Sequence, residues 1–253
     1  MLSLARAVPI LLASCVAAMA QGTVSFSYHP PGVLVPTKAG TGRIQDRKIY
    51  LKGITFPIKL TSDQSAYPNS QIYGVGGEFG PAGQCSENYK MPWSDTYCER
   101  RSWKMPLCPS GAGHQGDDIR APACEDDKFE VVAVEDGVIT RVTPYPIVYL
   151  KGDSGTLFRY LHVNPSSIQV QANQRVSAGA VLARVSDFME GKEHQTSIHL
   201  HFDAQQNLSV NGRVMTVFVP VYTSLIVAYR KAKGLPTLEQ PDGTLAVDQS
   251  REQ

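Results

Sequence analysis

The chain has 253 residues, with 24 Lys and Arg against 23 Asp and Glu, 42% hydrophobic and 19% charged residues, which is enough apolar material for a core in one large domain or two small ones. A formal charge of +1 gives no electrostatic reason for binding nucleic acid or an anionic membrane surface, and neither is expected as a partner. Beyond the first residues no stretch approaches the roughly 20 apolar residues of a membrane span, so no transmembrane segment is expected in the mature chain.

Met1 to Ala20 carries Arg6, an apolar run from Ala7 to Val16 and the triplet Ala18-Met19-Ala20 ahead of Gln21. This is the layout of a secretory signal peptide, and the run is too short to span a membrane. Its removal takes away one basic residue, Arg6, and leaves 23 side chains of each sign. Leu12-Ala13-Ser14-Cys15 resembles a bacterial lipobox, which makes a lipid anchor at Cys15 and an outer-membrane lipoprotein the alternative to a periplasmic or secreted protein.

Residues 21–65 alternate short apolar pieces with Pro and Gly, as in Val24-Ser25-Phe26-Ser27-Tyr28 and Ile49-Tyr50-Leu51, and read as an N-terminal segment of isolated strands. From 61 to 113 there is little periodicity and much Gly, Pro, Ser and Asn, longer than ordinary loops run. Its cysteine-bearing part, 66–111, reads as an insertion. Cys85, Cys98, Cys108 and Cys124 show no CxxC spacing, and in an exported chain two disulfides are expected rather than a metal site. Four cysteines allow three pairings. Cys108 lies six residues before His114 and Cys124 six residues after Asp118, so the expected bridges are Cys108 to Cys124, around that segment, and Cys85 to Cys98.

From Phe129 the pattern sharpens into hairpins: Val131 to Val134, an Asp136-Gly137 turn, Val138 to Val142, Ile147 to Lys151, a Gly152-Asp153-Ser154-Gly155 turn and Thr156 to Val163. Val176, Gly179 and Val181 to Val185 continue it, and Ile198-His199-Leu200-His201-Phe202 closes it with strict alternation. A helix is expected near the end, with Thr223 as N-cap, a run through Lys233, Gly234 as C-cap and Pro236 beyond. Residues 236–253 read as a polar tail.

His199 and His201 project to one side of their strand while Ile198, Leu200 and Phe202 project to the other. An HxH pair alone is more often two ordinary strand histidines than a metal site. In His114-Gln115-Gly116-Asp117-Asp118 an extended chain puts His114 and Asp118 on one face, with Gly116 leaving space between them. Asp117 is the competing carboxylate, and in isolation a turn with a capping aspartate is the plainer reading. Two histidines and an aspartate suit zinc, and three protein ligands with an open fourth position describe a catalytic rather than a structural site. Tyr160-Leu161-His162 puts His162 at a strand end on the same face as Tyr160. His29, before Pro30-Pro31, and His194, in a charged loop, read as solvated.

Taken together these segments resemble the LytM/lysostaphin-type zinc endopeptidases. That family's pattern is an HxGxD segment, a D-G-V-I hairpin, a YxH, a V-x-x-G-x-x-L stretch and a closing HLHF. Here these are His114 to Asp118, Asp136 to Ile139, Tyr160 to His162, Val176 to Leu182 and His199-Leu200-His201-Phe202, matching in order and spacing over about residues 112 to 205. The resemblance implies that His114, Asp118 and His201 bind zinc and that His162 and His199 are the metal-free histidines of the active site. It implies hydrolysis of peptide stems or cross-links of bacterial peptidoglycan through a zinc-bound water, in the periplasm or outside the cell. The N-terminal region and the four cysteines fall outside the pattern. The expected fold is all-β, an antiparallel sheet with a hairpin-walled groove, one C-terminal helix and the disulfide-bearing insertion, and the zinc endopeptidase domain is expected over 66–235. Two other classes compete. A non-catalytic relative that binds wall material or activates an amidase typically lacks ligands that are complete here. A lipoyl or biotinyl carrier needs a lysine at a hairpin tip, usually beside methionine, and no such lysine is present.

Overall fold

Short β-branched runs broken by Gly-containing turns bury an apolar face only by pairing side by side, and in the computed structural model they do so. The structure describes residues 26–90, 92–192, 194 and 196–247. The expected signal peptide, Cys15, Val24, Ser25 and the end of the polar tail lie outside the described residues. The elements are β1 (Tyr67–Pro68), β2 (Asp117–Arg120), β3 (Glu130–Val132), β4 (Gly137–Val142), β5 (Val148–Gly152), β6 (Leu157–Leu161), β7 (Arg175–Val176), β8 (Val181–Arg184), β9 (Leu200–Val210), β10 (Arg213–Phe218) and α1 (Tyr222–Ala232). The main sheet runs β1-β2-β9-β6-β5-β4-β7, with β10 also on β9, and β3 pairs with β8 as a separate ribbon. The pairings are antiparallel. The expected all-β fold with one C-terminal helix is the observed one, and no helix among the described residues is long and apolar enough to cross a membrane.

One face of the sheet is the core. Ile139, Leu150, Phe158, Tyr160, Leu200 and Phe202 are buried there together with Leu225, Ile226 and Tyr229 of α1. Complete burial of each large apolar side chain contributes about 1.5–3 kcal/mol. Tyr229 also meets Phe26, Phe56 and Trp93 at ring-centroid distances of 5.0, 5.5 and 4.7 Å, so the N-terminal segment shares this core. That segment differs from expectation in form: Tyr28 makes a single bridge to Trp93, and Ile49-Tyr50-Leu51 forms no strand. Its backbone is held by side chains and the C-terminal stretch instead. The Thr223 hydroxyl donates to the Lys48 carbonyl at 2.7 Å, Leu51 N–H donates to Ser224 Oγ at 3.0 Å and Ile49 N–H to the Gly243 carbonyl at 2.9 Å. Thr223 is therefore inside the helix and not its N-cap; Val221 occupies that position. Leu245, in the stretch read as a polar tail, is 1% exposed in the core.

The disulfide expectation is corrected. The bridges are Cys85–Cys124 and Cys98–Cys108. The stretch after Cys98 doubles back, with Met105 N–H on the Gly111 carbonyl and Gly113 N–H on the Trp103 carbonyl, which returns Cys108 to Cys98. Cys85 begins a short 3-10 turn (Cys85–Lys90) whose Tyr89 hydroxyl lies 3.1 Å from Cys124 Sγ. A loop around His114 to Asp118 is closed, but from Cys85. Loop-closure entropy grows with the logarithm of loop length, so double replacement by serine should cost about 4 kcal/mol for Cys85/Cys124, with 39 residues of separation, and about 3 kcal/mol for Cys98/Cys108, with 10. Denaturant titration of the two variants checks the order, and a non-reduced peptide map joining Cys108 to Cys124 would contradict the pairing.

Candidate active site

The register of three strands assembles the site. Asp118 of β2 pairs directly with His201 of β9, and Leu161 of β6 flanks His201 on the other side. Directly opposed residues share a face, so Asp118 and His201 meet away from the core, which receives Leu200, Phe202 and Ala204. His114 arrives from the loop before β2. Its N–H donates to the Glu99 carbonyl at 2.8 Å, its carbonyl accepts from Cys98 N–H at 3.1 Å, and its ring Nδ1 bonds the Thr96 carbonyl at 3.1 Å. Gly116 acts differently from expectation: a Cβ there would lie 2.2 Å from the Phe202 carbonyl oxygen, so glycine lets the loop lie against β9 and does not make space between the two side chains.

His114 Nε2 lies 3.5 Å and His201 Nδ1 2.9 Å from Asp118 Oδ1, and one donor atom from each of the three residues falls within 4.8 Å of the others. All three side chains are buried. A tetrahedral ion with bonds of about 2.0–2.1 Å separates its ligand atoms by roughly 3.4 Å, so the set fits zinc with little adjustment. The remaining ring nitrogens are engaged: a carbonyl only accepts, so His114 Nδ1 carries its proton toward Thr96 and leaves Nε2 bare. Burial alone would raise the Asp118 carboxyl, but His114, His199 and His201 around it hold it well below the usual range. Burial lowers His114 to about 4 against the pull of Asp118. In His201 burial is outweighed by bonds to Asp118 and Asp203, which raise it to about 9. Asp117 is also fully buried, but its Oδ1 accepts from Thr96 N–H at 2.8 Å and the Thr96 hydroxyl at 3.2 Å. Burial and the neighbouring Asp95 push it well above the usual range, and its place opposite Phe202 in the β2–β9 register, with Asp118 opposite His201, leaves it outside the cluster.

His199 and His162 stand beside this cluster with ring centroids 4.5 Å apart. His199 Nδ1 donates to the Ser197 carbonyl at 2.6 Å and His162 Nδ1 to the Phe188 carbonyl at 3.0 Å, which leaves both Nε2 atoms bare. His199 Nε2 is 3.5 Å from Asp118 Oδ1. Burial lowers His162 to about 4 and holds His199 well below the usual imidazole range, so both favour the neutral, basic form near pH 7. The expected shared face of Tyr160 and His162 is corrected. Tyr160 is in the core, its hydroxyl accepting from Val134 N–H at 3.0 Å. Strict alternation would send His162 there too, but β6 ends at Leu161 and His162 adopts φ +59°, which turns its ring toward the site. Left-handed backbone is uncommon outside glycine and worth a functional reading where it aims a side chain.

The five side chains line a cavity of about 790 Å³. The insertion supplies one wall, including Glu78, Arg101 and Trp103, the last two carried by the loop that Cys98–Cys108 closes; Glu190 and His194 line it too. His194 is exposed as expected but anchored, its Nδ1 2.6 Å from Asp187. His29 is half-buried rather than solvated, and lines a separate cavity. Sequence reasoning missed Asp203 and Arg159. Asp203 Oδ2 is 2.9 Å from His201 Nε2, and Arg159 holds both carboxylate oxygens. The alternation that aligned His199 with His201 also placed Asp203 on that face.

Residues 112–213 match the model of Peptidase family M23. No curated protein matches the chain. Among solved structures it is similar to a Ruminococcus gnavus protein assigned as the glycyl-glycine endopeptidase lytM, at 19% identity and TM-score 0.45, covering 70% of this chain and 60% of that one. It is also similar to the catalytic domain of the antimicrobial peptidase lysostaphin from Staphylococcus simulans, at 21% identity and TM-score 0.32, covering 47% and 87%. A third is the SpoIIQ–SpoIIIAH pore-forming complex, at 14% identity and TM-score 0.38, covering 67% and 89%. The chain thus spans about 60% of the length of the first of these. The segment that contributes His114, Asp118, His162, His199 and His201 is the segment that the model of Peptidase family M23 matches.

Proposed function

We propose that the protein is an exported, zinc-dependent endopeptidase that hydrolyses peptide stems or cross-links of bacterial peptidoglycan, with His114, Asp118 and His201 as metal ligands and His162 and His199 as the catalytic histidines. The observation that carries this is the convergence of two imidazoles and one carboxylate within 4.8 Å, beside two further neutral imidazoles. Zinc, when bound, supplies Lewis acidity and makes water acidic enough to ionise near pH 7. The protein's own part is proton handling. His162 and His199 present bare Nε2 atoms, so either can accept the proton of an attacking water. The ring that has taken it becomes a donor for the oxyanion that develops on the scissile carbonyl. A groove with Glu78 and Glu190 as well as Arg101 offers partners to both the amines and the carboxylates of a peptide stem. Two disulfides among the described residues suit an oxidising compartment outside the cytoplasm.

Digestion of muropeptides of defined cross-link by the purified full chain tests the reading. Peptide release that is abolished by a chelator and restored by zinc is the expected result. Wall binding without any release by the zinc-loaded protein would replace it with the non-catalytic reading.

A further inference from the structure

Beside the five site residues lies a charged network that none of the proposed steps uses. Asp203 follows His201 by two positions on β9 and is fully buried. Its Oδ2 is 2.9 Å from His201 Nε2. On the adjoining strand Arg159 pairs directly with Asp203 and grips the carboxylate with two prongs, Nε to Oδ1 at 2.8 Å and Nη2 to Oδ2 at 2.7 Å. The same Nη2 donates to Gln115 Oε1 at 2.7 Å, and Gln115 sits in the loop between His114 and Asp118. The guanidinium stacks over the Phe218 ring of β10, 4.6 Å from its centroid, which fixes its plane. One guanidinium therefore ties β6, β9, β10 and the ligand-bearing loop into a single frame.

The consequence for His201 is geometric. A carboxylate held on both oxygens by Arg159 is an acceptor only, so His201 Nε2 must carry a hydrogen toward it. That leaves Nδ1, 2.9 Å from Asp118 Oδ1, as the nitrogen that faces the cluster and can bind a cation in place of that contact. A flip of the ring, or the other tautomer, would break the Asp203 bond and turn the donor away from His114 and Asp118. We propose that Asp203, fixed by Arg159, is a positioning residue that selects Nδ1 of His201 as the metal-binding atom, and that the Arg159–Gln115 bond sets the register of the loop carrying His114 and Asp118. This rests on the reading of His201 as a zinc ligand.

The test uses the full chain, zinc alone and a competing chelator. Removal of an outer hydrogen-bond partner typically weakens a metal site by about 10–100-fold. Asp203→Asn, which keeps the volume and loses the charge, is expected to weaken zinc binding by about tenfold or more while the metal-free protein melts within a few degrees of the wild type. The visible bands of its cobalt-loaded form are expected to shift, since the donor strength of His201 changes. Arg159→Lys keeps the charge and loses the fork, and should fall in the same direction; it also serves if Asp203→Asn does not fold. Zinc affinity within about threefold of wild type, with unchanged cobalt bands, would overturn the proposal. A wild-type chain that binds no zinc at all would instead remove the functional reading on which it rests.

Discussion

His201→Ala and Asp118→Ala proteins are expected to leave the column without bound zinc and without hydrolytic activity, although they remain folded. The three proposed ligands come from two strands and a loop, and each supplies one donor to a cluster no wider than 4.8 Å. Two remaining donors cannot hold a divalent ion against water and buffer, so the loss in affinity should exceed the roughly 10–100-fold change that follows removal of an outer partner. Metal analysis after dialysis checks this directly. His201→Ala empties space beside Asp118 but leaves Leu200 and Phe202, on the opposite face of β9, in the core. Circular dichroism should therefore be unchanged while metal content falls, which separates ligand loss from unfolding. Stoichiometric zinc in His201→Ala would contradict the assignment.

The opposite division is expected for the other two histidines. His162→Ala and His199→Ala should keep their zinc and lose about two to four orders of magnitude in turnover, the usual range for a positioned acid or base. Both rings are buried, neutral and fixed in one tautomer by a backbone carbonyl, Phe188 for His162 and Ser197 for His199. Among the described residues no protein group donates a hydrogen bond to the Nε2 atom of either ring, so each is available to the reacting water. Single-turnover hydrolysis of a cross-linked muropeptide by the zinc-loaded variants measures the effect. Wild-type turnover in either variant would take that histidine out of the reaction. Loss of zinc from either would make it a ligand.

How much of this was legible in the sequence varied with the physics of each segment. The hairpins of β4, β5 and β6 could be read because their apolar residues alternate, and alternation records which face is buried. The same periodicity aligned Asp118 with His114 and His199 with His201. It failed for β10 and the outer half of β9, because residues such as Gln205, Asn207, Arg213 and Val214 face solvent or are half-buried and carry no apolar rhythm. A signal was present there nonetheless: Asn211-Gly212 joins the two strands with both residues at positive φ, 51° and 76°, the dihedral demand of a tight hairpin turn. His162 reached the site by breaking alternation, through one left-handed residue that periodicity cannot foresee. The disulfide pairing was misread because spacing records contour length alone, whereas pairing depends on how the irregular insertion folds back. Asp203 and Arg159 escaped notice because neither belongs to a motif, although both stand in register with His201 or its neighbours.

The central claim is that side chains from the loop at 114, from β2 and from β9 grip one divalent cation. An anomalous difference map at the zinc edge, from crystals of the zinc-loaded protein, tests it most directly. One strong peak is expected, about 2.0–2.2 Å from His114 Nε2, Asp118 Oδ1 and His201 Nδ1. A peak bound instead through His162 and His199, or no peak in the groove at full zinc loading, would contradict it.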